Sequence, residues 1–382
     1  MERIKEIKNM KKLLIVAKSL GGGGSEVALV ELLNHLNPKK FEITLLLLDH
    51  DNEYKYRLKK NVTIKYITFD NNYYHKLVSM YSFVGKAIKK SKMNRWTRIY
   101  DIVAKHSLKL KEHFDIAIDF YGYGSFTTAY LARNISADKK AFWLHDEKML
   151  WIKNVENYFS DFNKIFCVSY AIKKEFDKLY PSEQTKSEVF YNVLDISQII
   201  EKSQKFIPKE FDRTDFNIVT VGRLTEQKGY DISIKAANIL KKEGFNFHWY
   251  AIGDGRDKEK LERLIHKMGL QNNFSLLGRR DNPYPYIKHC DVYVQPSRHE
   301  GYSIALTEAR VLKKLIITSD FPANKEQIQN GVTGLIVKLD PDDLATQIKR
   351  VYFDDTLRRK ILKNISEQKI DVIKELKKLD NI

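Results

Sequence analysis

Residues 291–318 read DVYVQPSRHEGYSIALTEARVLKKLIIT. The pattern predicts a buried strand over Val292 to Gln295, a loop with one proline and one glycine, a short helix, and a second apolar strand. Glu300 falls in the loop and Glu308 in the second turn of the helix. A strand that feeds a helix N-terminus through a Gly-containing loop gathers backbone N–H groups and the positive end of the helix dipole, where an anion is stabilised. A glutamate at such a point repels a bare phosphate. It is useful when the ligand also offers hydroxyls, from which a carboxylate accepts hydrogen bonds. A phosphate flanked by hydroxyls describes a nucleotide sugar.

Outward from this stretch, the second half of the chain repeats one unit. Apolar runs predict strands at Phe216–Val221, Phe247–Ile252, Phe274–Leu277, Leu315–Thr318 and Leu335–Val337, with a helical pattern between each pair, one of them beginning near Lys228. Such a β-α series calls for right-handed crossovers and a parallel sheet. The first half carries the same signature, with strands at Lys12–Ala17, Phe41–Leu48, Val62–Ile67, Asp115–Phe120, Lys140–Leu144, Lys164–Val168 and Glu188–Tyr191. Four glycines, Gly21 to Gly24, follow the first strand and open a helix. They lack both the spacing of a dinucleotide fingerprint and the lysine of a P-loop. Tyr73 to Lys111 reads as long and helical. Domain boundaries are expected at 1–200, a connection over 201–215, a second domain over 216–353, and C-terminal helices over 354–382.

At 382 residues the chain exceeds a single core, so two domains of roughly 150–200 residues are expected. Apolar residues make up 43%, enough for folded cores, and no low-complexity tract argues for disorder. No apolar run reaches the ~18 residues of a membrane span. The opening MERIKEIKNMKK is charged and lacks a signal-peptide core. Cys167 and Cys290 sit in or beside apolar strands and read as buried thiols of a reducing compartment. The formal net charge is +17. Part of the excess gathers in Lys86, Lys89, Lys90, Lys92, Arg95, Arg98, Lys105, Lys109 and Lys111, interleaved with aromatic and aliphatic residues. Segment 86–111 therefore reads as a basic amphipathic element suited to an anionic membrane surface, with a solvated helical face as the plainer alternative. No nucleic-acid motif accompanies the charge, so no nucleic-acid partner is expected.

The Glu300…Glu308 pair resembles the paired-glutamate motif of family 4 retaining glycosyltransferases, which have the two-domain GT-B fold and include the group 1 glycosyl transferases. Four further pieces match in order: Gly21–Ser25, Trp143-Leu144-His145, Gly222-Arg223-Leu224 with Lys228-Gly229, and Gly253-Asp254-Gly255. The resemblance spans roughly Lys11 to Val351. It implies two Rossmann-like doubly wound domains facing across a cleft, with the last helix crossing back to the first domain. It also implies a sugar moved from a nucleotide donor, UDP-linked, with retention, to a lipid-linked or polymeric glycan acceptor such as a capsule or lipopolysaccharide precursor, on the cytoplasmic face of the membrane.

By the same resemblance Glu300 contacts the transferred sugar and Glu308 the ribose hydroxyls, while His145 approaches the donor sugar. Arg223 and Lys228 are the candidate diphosphate clamp, both in one loop at a strand's carboxyl end. Gly22, Gly23, Gly222, Gly253, Gly301, Tyr302, Ser303 and Ile304 are expected along the donor, and Arg279 beside the base. Tyr302-Ser303 stands where the family shows Phe-Gly, a departure that bears on donor-sugar specificity; Ser remains a competent N-cap. The Asp-x-Asp at Asp340 and Asp342 follows the last strand on a polar turn and reads as a helix cap, so neither metal nor cofactor is expected. No Ser-His-Asp or Cys-His arrangement is evident. A nucleotide-sugar epimerase on the same fold and a non-catalytic partner subunit are the competing readings.

Overall fold

The computed structural model describes residues 10–21, 23–84, 94–122, 124–149, 151–212 and 214–382. Gly22, Lys86, Lys89, Lys90 and Lys92 lie outside that set. The chain divides into two compact units, one of residues 1–194 together with 371–382 and one of Asp195–Ile370.

The first unit holds seven strands, β1 (Lys11–Ala17), β2 (Phe41–Leu47), β3 (Val62–Tyr66), β4 (His113–Asp119), β5 (Ser136–Leu144), β6 (Lys164–Cys167) and β7 (Ser187–Val189). They form one parallel sheet in the order β3-β2-β1-β4-β5-β6-β7. The second unit holds β8 (Phe216–Val221), β9 (Phe247–Ile252), β10 (Phe274–Gly278), β11 (Val292–Gln295), β12 (Ile316–Ser319) and β13 (Leu335–Val337). Its parallel order is β10-β9-β8-β11-β12-β13. Both sheets are doubly wound, and in each the order reverses once, between β1 and β4 and between β8 and β11. At such a switch point the flanking connections leave in opposite directions and open a crevice at the strands' carboxyl ends.

The sheets are parallel because their strands are apolar on both faces. Leu13, Leu14, Ile15 and Val16 of β1 are each 0% exposed, as are Ile218, Val292, Val294 and Ile317 in the second unit. Helices cover both faces, and the second core draws in Trp249, Leu240, Leu270 and Ile348. Each such side chain contributes about 1.5–3 kcal/mol by burial. The indole of that core is matched: Trp249 Nε1 donates to Thr220 Oγ1 at 3.0 Å, and that hydroxyl donates to Val294 O at 2.8 Å.

Every expected strand is present, with ends moved by a few residues; β5 starts earliest relative to expectation, at Ser136. The helices differ more. No α-helix starts at Lys228: a 3-10 turn over Glu226–Lys228 precedes Gly229, whose φ of +70° starts a fresh helix at Tyr230. The long helix expected over Tyr73–Lys111 is two described helices, Asn72–Val84 and Asn94–Lys105, and Ser107 then pairs with Phe69 in an isolated bridge. The C-terminal helices expected over 354–382 break after Glu367, where Gln368 turns extended, and resume at Val372.

The expected connection over 201–215 begins inside a helix, Ile196–Ser203, which Asp195 caps by accepting from Gln198 N at 2.8 Å. That helix is counted with the second unit, so the chain divides at Leu194 rather than at 200. Lys202 O accepts from Asn282 Nδ2 at 2.9 Å and ties it there. The last residues return to the first unit, where Glu375 accepts from Tyr191 N at 2.9 Å and pairs with Lys378 at 2.8 Å. Asp340 caps the helix Pro341–Phe353 by accepting from Asp343 N at 3.1 Å. Cys167 and Cys290 are both free and buried, and burial raises both thiol pKa values, that of Cys290 to about 12.

Candidate functional site

In the second unit the switch point gathers most of the expected residues. After β8 the chain runs through Gly222, Arg223 and Leu224 into the 3-10 turn that carries Lys228; after β11 it runs through Pro296 to Glu300. Gly229 has to be glycine: a Cβ there would stand 2.0 Å from Pro296 O, besides the positive φ. The two loops are sewn together at several points. Arg298 N donates to Gln227 O at 2.7 Å, Gln227 Nε2 donates to His299 O at 2.9 Å, and the Arg298 guanidinium holds Asp231 through two 2.8 Å contacts. That fork is the planar two-point match at which arginine excels.

Between the loops Lys228 Nζ pairs with Glu300 Oε1, the side chains only 15% and 10% exposed. Removing such a pair from water is costly, and its geometry and extra hydrogen bonds decide whether the cost is met. Ser297 Oγ adds one, donating to the same Oε1 at 2.8 Å. The guanidinium of Arg223 is exposed and makes no ion pair among the described residues. Beneath it the loop is pinned: Tyr230, fully buried, donates its hydroxyl to Gly222 O at 2.8 Å, and burial pushes that phenol's pKa well up. Gly222 packs on the Lys228 stem, where an added Cβ would lie 3.3 Å from Cδ.

Gly253 closes the floor, with φ +147°; a Cβ there would meet Gly222 O at 1.9 Å. Gly253 N donates to Gly278 O at 3.0 Å and Leu224 N to Asp254 O at 2.9 Å, so the loops after β8, β9 and β10 interlock. The helix that follows this turn starts at Lys258. Arg279 follows β10 and is exposed, next to Arg280, which reaches Glu210 at 3.3 Å.

Past Gly301, Ser303 caps the helix Ile304–Val311, its side chain accepting from Leu306 N at 3.4 Å. Ile304 opens that helix. Glu308 is 7% exposed and accepts from the Tyr284 hydroxyl at 3.0 Å. Tyr302 is partly buried, and desolvation raises its phenol pKa while Arg310 and Thr307 work against the rise. Sequence reasoning missed Tyr230, Tyr284, Ser297 and Arg298. The last two were legible in principle, since they occupy the loop that carries Glu300.

The remaining candidates belong to the first unit. Gly23 N-caps the helix Gly24–His35 in extended backbone, and the Glu26 carboxylate lies over it, 2.2 Å from where a Cβ would be. A phosphate reaching this helix end must displace that carboxylate. His145 follows β5, and its Nε2 donates to Phe120 O at 2.7 Å while the ring leans on Phe120. Desolvation lowers its pKa to about 4 against the opposing carbonyl contact, so the imidazole is neutral at pH 7. With Nε2–H committed, Nδ1 is the atom left to accept.

No helix among the described residues is long and apolar enough to cross a membrane. Of the basic segment, Arg98, Lys105, Lys109 and Lys111 are exposed beside Ile102 and Leu108, themselves 50% and 59% exposed.

Residues 201–368 match the family model described as glycosyl transferases group 1. Over 201 residues the chain is 29% identical to an uncharacterised glycosyltransferase of Methanocaldococcus jannaschii, covering 47% of this chain and half of that protein. Over 383 residues it is 23% identical to an N-acetylgalactosamine-N,N'-diacetylbacillosaminyl-diphospho-undecaprenol 4-alpha-N-acetylgalactosaminyltransferase of Campylobacter jejuni, covering 96% of this chain and 97% of that one. Anabaena HepE, solved with UDP-glucose, superposes with a TM-score of 0.73 over 97% of this chain and 98% of its own, at 18% identity. Residues 201–368 thus match the group 1 glycosyl transferases, and the chain as a whole has the two-sheet GT-B fold.

Proposed function

We propose that the protein transfers a sugar from a UDP-linked donor, with retention and without a metal, to a lipid-linked or polymeric glycan acceptor of cell-surface polysaccharide synthesis. The observation that carries this reading is the Lys228–Glu300 pair at the β8/β11 switch point, with exposed Arg223 in the β8 loop and Glu308 in the second turn of the helix that follows the β11 loop. Negative charge builds on the departing diphosphate, and Lys228, Arg223 and the N–H groups beyond Gly301 stand ready to receive it. Glu308 accepts from ribose hydroxyls and Glu300 from the transferred sugar, where a carboxylate also favours the oxocarbenium character of C1.

The bond from C1 to the diphosphate oxygen breaks, and the acceptor hydroxyl bonds to C1 from the same face. Its proton passes to the departing phosphate oxygen. Neutral His145 takes a donor-sugar hydroxyl through Nδ1. Support for a lipid-linked acceptor comes from the Campylobacter relative, whose name specifies a diphospho-undecaprenol substrate. Support for UDP comes from the HepE complex. Exposed Ile102 and Leu108 among lysines would bring the chain to an anionic membrane from the cytoplasmic side.

Calorimetric titration with UDP, GDP, ADP and their sugars, in chelator, tests the reading. Saturable UDP binding in wild type, lost in Glu308→Ala and Arg223→Ala variants that fold normally, is the expected result. Full transferase activity in those two variants would refute it, and a second nucleotide sugar formed without acceptor would mark an epimerase.

A further inference from the structure

Tyr293 and Gln295 lie on β11 and Ser297 two residues beyond, an alternation that sets all three on one side of the strand. Each is 0% exposed. The Tyr293 hydroxyl donates to Gln295 Oε1 at 2.5 Å, Gln295 Nε2 donates to Ser297 Oγ at 2.8 Å, and the Ser297 hydroxyl donates to Glu300 Oε1 at 2.8 Å. Every hydrogen in the series points toward the carboxylate, so each link polarises the next. The carbonyls beneath are fixed as well: Ser319 Oγ donates to Ser297 O at 2.5 Å and Thr318 Oγ1 to Gln295 O at 3.1 Å. Asn324 Nδ2 in turn donates to Thr318 Oγ1 at 2.6 Å.

Apolar side chains would serve a central parallel strand equally well, because a neutral buried hydrogen bond returns only about 0.5–1.5 kcal/mol net. What the three residues supply is direction. With Lys228 and Ser297 both on Oε1, Glu300 is held by one oxygen, and Oε2 takes no hydrogen bond among the described residues.

We propose that Tyr293, Gln295 and Ser297 are a positioning relay that fixes Glu300 through Oε1 and presents Oε2 to the hydroxyls of the transferred sugar. The relay then governs which sugar is accepted and how fast it moves, and leaves the nucleotide untouched. This rests on the donor-site reading above. Ser297→Ala, Gln295→Met and the milder Tyr293→Phe test it, by calorimetry with UDP and with the UDP-sugar that the wild type turns over, and by kcat. Expected for Ser297→Ala is UDP affinity within about twofold of wild type, UDP-sugar affinity down about tenfold and kcat down roughly 10- to 100-fold. Tyr293→Phe shifts the same two quantities by less. Equal weakening of UDP and UDP-sugar would reduce the relay to ordinary packing, and unchanged kcat and sugar affinity would overturn it. A wild type that binds no UDP would instead overturn the donor-site reading, before any variant is made.

Discussion

Lys228→Met puts the switch-point pair to a quantitative test. The methionine fills much of the space of the lysine stem against Gly222, so packing is nearly kept and the charge alone is removed. Glu300 is then left 10% exposed without its cation. Breaking a buried pair costs about 3–5 kcal/mol, and the Ser297 hydroxyl still on Oε1 offsets part of it, leaving about 2–3 kcal/mol. At about 2–4 °C per kcal/mol for a unit of this size, the transition of the second unit should fall by roughly 4–12 °C. Scanning calorimetry of the unliganded protein reads this directly. Adding Glu300→Gln should return most of the loss, giving a coupling of about 2 kcal/mol in a double-mutant cycle, while transfer stays down roughly 100-fold or more. Additive losses, or a single variant that unfolds within a degree of wild type, would refute the claim that the pair is coupled and desolvated.

Other outcomes follow from the same geometry. Gly253→Ala, forced against Gly222 O at φ +147°, should cost about 1–3 kcal/mol by thermal unfolding and weaken UDP binding through the β8 loop. His145 has its folded pKa lowered from 6.5 to about 4, so the unfolded chain takes that proton first and stability falls as pH drops through this interval. Asp119, whose burial raises it from 3.8 to about 6, works in the opposite sense: the folded chain binds the proton first, and acidification adds stability. Melting curves at pH 7 and 5 should therefore show His145→Gln losing less on acidification than wild type and Asp119→Asn losing more. Cys167 and Cys290 should resist a thiol reagent in the native protein and both react once it is unfolded in urea.

Much of the fold was legible because burial on both faces writes itself as unbroken apolar runs; KLLIVA and FNIVTV admit little else. The switch-point loops were legible as well, since Gly222, Gly229 and Gly253 punctuate strand ends where backbone meets backbone. Helix starts were harder. Lys228 looked helical, but the left-handed Gly229 that must clear Pro296 O resets the chain one residue later. The polar relay stayed hidden for a different reason: the stretch reads as a buried strand, and nothing local says that its tyrosine, its glutamine and the serine beyond bond to one another. The pairing of β11 with both β8 and β12 bears out the expected burial. Tyr284, far along the chain from Glu308, had no local pattern to announce it.

The return of residues 371–382 to the first unit has a consequence for how the protein is made. A ribosome releases the whole second unit, Asp195–Ile370, before it supplies Glu375 to Tyr191 and Lys378 to Val189. The half begun first is therefore completed last. A nascent chain that has reached Ile370 can finish the second unit, whereas the first still lacks the residues that bind Tyr191 and Val189.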